Sequence, residues 1–340
     1  MTGSAPRHVD LGRLFPIRRP PFAGGRWLVG VLILAAMLGA FWACGVFTDA
    51  PRTAPGAPWG PALFFSVIIA YIVPIFGYIS ERTVAALEAL SPVLDAEPGQ
   101  IETWRRRVCE KPVGWLVSVL LIGTVSGVIH NLVLNPSATL LLERASRSAA
   151  VAALALGILA TWIVLTLVVA ALLDNALLLN RVARRARVQI FDTARLRPFA
   201  TVAVISTLAL IGAQAAFPIM TVEGGVDPLA YVPGLLATGV PMVLLAALPV
   251  WPVHRRLAAA KRQILSDLNR RIGTLPLPDP DHPETLCALT PLLTYRREVA
   301  QTSEWPFDVG VMTRLGLYLV IPPLTWVGAA LIEQLVDVFL

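Results

Sequence analysis

Few residues of this chain can do chemistry, and most of them lie inside or beside long apolar runs. Pro322 and Pro323 interrupt the run "LVIPPLTWVGAALIEQLVD". Neither has an N–H, so the carbonyls of Tyr318 and Leu319 lose their helical partners. In lipid such a carbonyl is costly unless protein or water satisfies it, so the break must face away from the acyl chains. Carbonyls freed at mid-depth are cation ligands in broken transporter helices. The same two prolines also make a plain kink, with Thr325 or a neighbouring helix taking up the carbonyls. The kink is the expectation, because a wider unwound stretch would want glycines as well. Glu333 closes the run near its outer end.

The remaining polar groups in apolar runs are His130 with Asn131, Asp174 with Asn175, and Arg314, which has Asp308 and Glu304 nearby in sequence. Intramembrane ionisable groups are functional by default, but depth decides. His130 and Asn131 fall near the outer end of their run, and Asp174 and Asn175 near the inner end of theirs. Interfacial solvation is expected for each, and His130 is the one that most merits a test. No acid falls at mid-depth, where proton- or sodium-coupled carriers place theirs.

Catalytic patterns are lacking. "GTVSG", with Ser126 between Gly123 and Gly127, does not have the GxSxG spacing, and there is no HExxH. Gly123 and Gly127 instead make the GxxxG spacing that lets two helix backbones approach. Cys44, Cys109 and Cys287 give neither a disulfide framework nor a CxxC pair. The chain is therefore expected to be no enzyme and to carry no metal and no cofactor.

The elements that must position these residues are long helices. Of 340 residues, 56% are hydrophobic and only 15% charged, and mean hydropathy is +0.69. The apolar residues are segregated into runs long enough to cross a bilayer, which takes about 20 residues. Seven runs qualify: 27–47, 60–80, 113–135, 149–172, 199–219, 229–251 and 309–336. The last is overlong, at about 45 Å if straight, which suits a bent or tilted helix.

Orientation follows from the loops. With the N-terminus inside, 24 of the 28 Lys and Arg residues lie in inward segments, three in outward loops, and Arg314 at the inner end of the last run. Only Lys111 and Lys261 are lysines. Trp27, Trp59, Trp115, Trp251 and Trp305 fall at span ends, where indoles anchor at headgroup level. The inward segments 81–112 and 253–308 read as helical hairpins. Leu87, Leu90 and Leu94 share a face in the first, and Leu257, Ile264, Leu268 and Ile272 share one in the second. Asp281 and Glu284 make a capping pattern before the second helix of the latter.

The expected fold is thus all-α: a polytopic transmembrane helical bundle of about seven spans, N-terminus in and C-terminus out. A basic cytosolic segment, 1–26, precedes a single membrane domain, 27–340. The expected setting is the cell (inner) membrane. The basic run "RVARRARVQIFDTARLR" offers Arg184, Arg185, Arg187, Arg195 and Arg197 to anionic lipid headgroups. The net charge of +6 lies beside spans and does not point to nucleic acid. The leading functional expectation is a pore or channel, a possible homo-oligomer with the Pro-broken last helix lining its path. The alternative is a membrane scaffold or assembly factor docking a cytosolic protein partner through its hairpins, and a solute carrier comes third.

Overall fold

The structure is a computed structural model that describes residues 8–14, 25–48, 59–97, 99–135, 137–221, 232–275 and 283–305, together with 316, 317 and 320. Tyr318, Leu319, Pro322, Pro323, Thr325, Glu333 and Arg314 lie outside the described residues. So does Asp281 of the capping pattern.

In chain order the elements are β1 (His8–Asp10), α1 (Leu11–Leu14), α2 (Gly25–Ala43), α3 (Trp59–Leu90), α4 (Gln100–Cys109), β2 (Glu110–Pro112) and α5 (Val113–Leu134). Then follow α6 (Ala138–Arg147), α7 (Ala149–Ala183), α8 (Arg197–Gln214), α9 (Val232–Ala247), α10 (Trp251–Gly273) and α11 (Pro283–Gln301). Among the described residues, six helical segments are long and apolar enough to cross a membrane, with mean hydropathy from 1.8 to 2.6. They correspond to the first six expected runs. The seventh run falls outside the described residues.

Helix ends follow local chemistry. α2 stops at "ACGVF", where Gly45 takes φ +79°. Its N–H reaches the Trp42 carbonyl and the Val46 N–H reaches the Phe41 carbonyl, at 2.9 and 3.0 Å. This is the paired closure that glycine at a helix C-terminus permits, and Val46 is fully buried beyond it. At the start of α7, the Ser148 side chain accepts from the Val151 N–H.

Two helices outrun the lipid. α3 has 32 residues and α7 has 35, so each is about 50 Å long against a hydrocarbon layer of about 30 Å. Both overshoot at the arginine-rich end. There Leu87, Leu90, Leu179, Val182, Phe199 and Leu257 form a second apolar core, separate from the one within the spans. Leu94 pairs with Ala186 across the gap as an antiparallel bridge. The expected hairpin 81–112 is therefore the tail of α3 turning at Gly99, φ +82°, into α4. Leu87, Leu90 and Leu94 are buried, as their spacing predicts.

Helix contacts are built from small residues. A Cβ on Gly123 would stand 2.8 Å from the Ile163 Cα, and one on Gly127 would stand 3.0 Å from the Leu159 Cα. The GxxxG pair therefore seats α5 directly on α7. Pro74, inside α3, leaves the Ala70 carbonyl without its helical donor. A Cβ on Gly30 of α2 would lie 2.9 Å from that oxygen, so this proline break is covered by protein.

The second hairpin is α10 and α11. His254 stacks on Trp305 with ring centroids 4.0 Å apart, and its Nδ1 lies 3.0 Å from the Glu304 carbonyl oxygen. Trp305 thereby closes the base of this hairpin. Lys261 donates to the Thr302 carbonyl at 2.9 Å and pairs with Glu304 at 3.5 Å.

Candidate functional site

Phe64, Phe65 and Ile68 of α3, His130 of α5, and Ile158, Thr161, Trp162 and Leu165 of α7 surround a small cavity. Phe217 and Met220, on the turn after α8, and Gly234 and Thr238 of α9 complete its wall. It lies in the half of the bundle away from the arginines. Its volume is about 40 Å³, space for roughly two or three water-sized groups.

The wall is almost wholly apolar and aromatic. Phe64 packs on Phe217 at 5.0 Å and on Phe65 at 5.7 Å between centroids. Two polar atoms interrupt it. The His130 Nδ1 and the Thr161 Oγ1 are both buried, and neither has a hydrogen-bond partner among the described residues. A buried polar group left unpaired costs about 1–3 kcal/mol, so two on one cavity call for an occupant. The His130 ring leans on Trp162, 5.7 Å between centroids, which holds it in place. Behind the wall Gln214 donates to the Thr238 hydroxyl at 3.1 Å, tying α8 to α9.

Asn131 has a different task. Its side-chain nitrogen donates to the Gly127 and Ala155 carbonyls, at 3.1 and 3.2 Å, and bridges α5 to α7. Both His130 and Asn131 are buried, at 9% and 8% exposure, where the sequence reading expected interfacial solvation. The reason is that the neighbouring glycines bring α7 close enough to cover them.

At the arginine-rich end Asp174 and Asn175 meet Lys111 of β2. The Lys111 ammonium is 1% exposed and donates to Asp174 at 2.6 Å, to Asn175 at 3.1 Å and to the Arg107 carbonyl at 3.0 Å. All three donors of the ammonium are thereby used. Arg107 also reaches Asp174, at 3.6 Å. The antiparallel pairing of Val9 with Lys111 brings the chain's first described segment to the same place. Burial pushes the Lys111 ammonium below the ordinary lysine value, and the Asp174 carboxylate offsets part of that. Burial likewise raises the neighbouring Cys109 thiol, which keeps it protonated and unreactive. Asn175 is 2% exposed, not solvated at an interface as expected.

The headgroup candidates separate into two sets. Arg195 pairs with Asp192 at 2.6 Å, and Arg197 opens α8. Arg184, Arg185 and Arg187 instead share a groove with Arg256 of α10. Arg185 also lies over the Trp104 ring, at 6.0 Å.

Sequence reasoning missed Lys111, Thr161 and Arg256. In the sequence Lys111 reads as one more inward charge, yet it is one of two lysines in a chain otherwise basic through arginine. Both lysines hold largely covered positions, where a compact ammonium can point its donors at several acceptors. Lys111 and Lys261 have side-chain exposures of 1% and 14%, and each bonds a backbone carbonyl and a carboxylate. Thr161 shares an apolar run with Thr166, so a hydroxyl among apolar residues is the one signal it offers.

No protein-family model, no curated protein and no solved structure matches this chain. The six helices long and apolar enough to cross a membrane, found among the described residues, mark a multi-pass membrane protein.

Proposed function

We propose that this membrane protein binds a small amphipathic molecule, an apolar body with one hydroxyl-like head, in the cavity between α3, α5, α7 and α9. Its arginine-rich end faces the cytoplasm, on the loop asymmetry, so the cavity belongs to the outer half of the membrane. The carrying observation is that the His130 Nδ1 and the Thr161 Oγ1 are both orphaned and both line that one space. A hydroxyl donates and accepts at once, and so can satisfy the imidazole nitrogen and the threonine together. The aromatic wall suits an apolar body. Met220 and Phe217 sit on a short turn, Phe217–Thr221, where a flexible thioether can give way to admit it.

Conduction is supported less well. Between the cavity and the arginine-rich end the described core passes through Ile72, Val168 and Leu172, all buried and apolar. The pore expectation rests on the Pro322–Pro323 segment, which lies outside the described residues.

The test is photolabelling of the purified protein with a diazirine-bearing aliphatic alcohol, mapped by mass spectrometry. Label from a short-chain probe is expected on the cavity wall, with unlabelled propanol competing. Thr161→Val and His130→Leu should each weaken capture by about two- to tenfold, the value of one hydrogen bond. Label spread evenly over lipid-facing helices, or capture indifferent to both substitutions, would refute the reading.

A further inference from the structure

The arginines at the cytoplasm-facing end are not equivalent. Some have a carboxylate partner. Arg187 pairs with Asp95 at 3.3 Å, Arg195 with Asp192 at 2.6 Å, Arg270 with Asp267 at 2.8 Å and Arg105 with Glu102 at 3.2 Å. Arg184, Arg255 and Arg256 have none among the described residues. These three line one groove of about 600 Å³ between the end of α7 and the start of α10, with Asn180 and Trp251, and among the described residues no acidic side chain lines it.

The groove is organised by the backbone around it. Pro252 has no N–H, so the Leu248 carbonyl lacks a helical donor, and the Asn180 side chain supplies one at 2.7 Å. Held this way, Asn180 accepts from Arg184 at 3.3 Å. Arg256 donates to the Arg184 carbonyl and so caps the C-terminal end of α7. Arg255 has no such contact. Two guanidiniums are thus tied to the backbone or to Asn180 and the third is not, and all three are exposed; Asp95 and Glu97 line only the adjoining groove, on the other side of Arg184 and Arg256.

The groove also sits at a particular depth. Its arginines follow directly on the apolar runs of α7 and α9. Trp251, 53% exposed, stands at its edge, as indoles do at headgroup level. Below it α9 turns Leu236, Val240, Val243 and Leu244 outward, an apolar surface along which acyl chains can lie.

We infer that this groove is a binding site for an anionic phospholipid, its phosphate held by Arg184, Arg255 and Arg256 and its chains laid along α9. The guanidinium fork suits a phosphate's oxygens. The site is separate from the His130 cavity and does not depend on it.

The test uses the full chain, delipidated in a non-ionic detergent. It is titrated with short-chain phosphatidylglycerol, short-chain phosphatidylcholine and inorganic phosphate, with bound lipid read by native mass spectrometry. Phosphatidylglycerol should bind in preference. Each of Arg184→Gln, Arg255→Gln and Arg256→Gln should cut that preference by about fivefold. Arg271→Gln, at the far end of α10, should leave it unchanged. Arg255→Gln carries the test if the other two disturb folding, because Arg255 has no hydrogen bond or ion pair among the described residues. Equal binding of the two lipids would overturn the inference, and so would a preference that survives Arg255→Gln or falls as far with Arg271→Gln. Displacement of the lipid by inorganic phosphate at equal concentration would assign the groove to a soluble anion instead.

Discussion

Among single residues Lys111 is the most constrained, because a buried ammonium stays charged only while its acceptors hold. Lys111→Arg keeps the charge but forces a larger fork into a filled site, and should lower stability by about 2 kcal/mol. Asp174→Asn removes the one carboxylate at 2.6 Å and should cost about 3 kcal/mol. Thermal unfolding in detergent checks both, and a Lys111→Arg protein that melts with the parent would remove the argument. The pH dependence has a definite sign. The folded chain gives up the Lys111 proton more readily than the unfolded chain, so the unfolded state binds more protons just below the ordinary value of 10.5. Stability contributed by this group therefore rises with pH through that window. Asp174→Asn, which removes the offsetting carboxylate, should enlarge the rise. Much of this was hidden in the sequence. His130, Asn131, Asp174 and Asn175 announce themselves as polar letters in apolar runs. That Asp174 meets Lys111, 63 positions away, depends on how α4, β2 and α7 pack, which no local pattern encodes.

At the scale of elements the contact between α5 and α7 is the tightest by backbone approach. Gly127→Leu would drive a branched side chain into the Leu159 backbone and should destabilise the bundle by about 1–3 kcal/mol or more. The expected sign is lost yield of folded protein and a lower melting point. Gly114→Leu, with open space around it, should leave both unchanged. If the two substitutions behave alike, the close seating of α5 on α7 is wrong. Hydropathy located the six described spans but not the length of α3 and α7. Arginines and glutamates lower the hydropathy where each helix leaves lipid, while the residues remain good helix formers, so the helix runs on unmarked. α6 was missed as well. Its ten residues, "ATLLLERASR", are too short to span, and its cues are only Ser137 at one end and Ser148 at the other.

For the molecule as a whole, the sharpest expectation is orientation. Cys287 is exposed on α11, at the arginine-rich end. In intact cells it should resist a membrane-impermeant maleimide and react once the membrane is opened, while Cys109, half-buried with a raised thiol, should react slowly even then. Labelling of Cys287 from outside would invert the topology, and would move the His130 cavity and the arginine groove to the opposite leaflets. The overshoot of α3 and α7 has a consequence of its own. Within the bilayer, greasy side chains gain nothing by leaving hydrocarbon for a neighbour, so close fit and shared hydrogen bonds must hold the helices together. Past the headgroups the same two rods enter water, and there Leu87, Leu90, Leu179 and Val182 cohere as a soluble protein's interior does. One pair of helices is thus glued by two unlike solvents, and urea acts on only one of them.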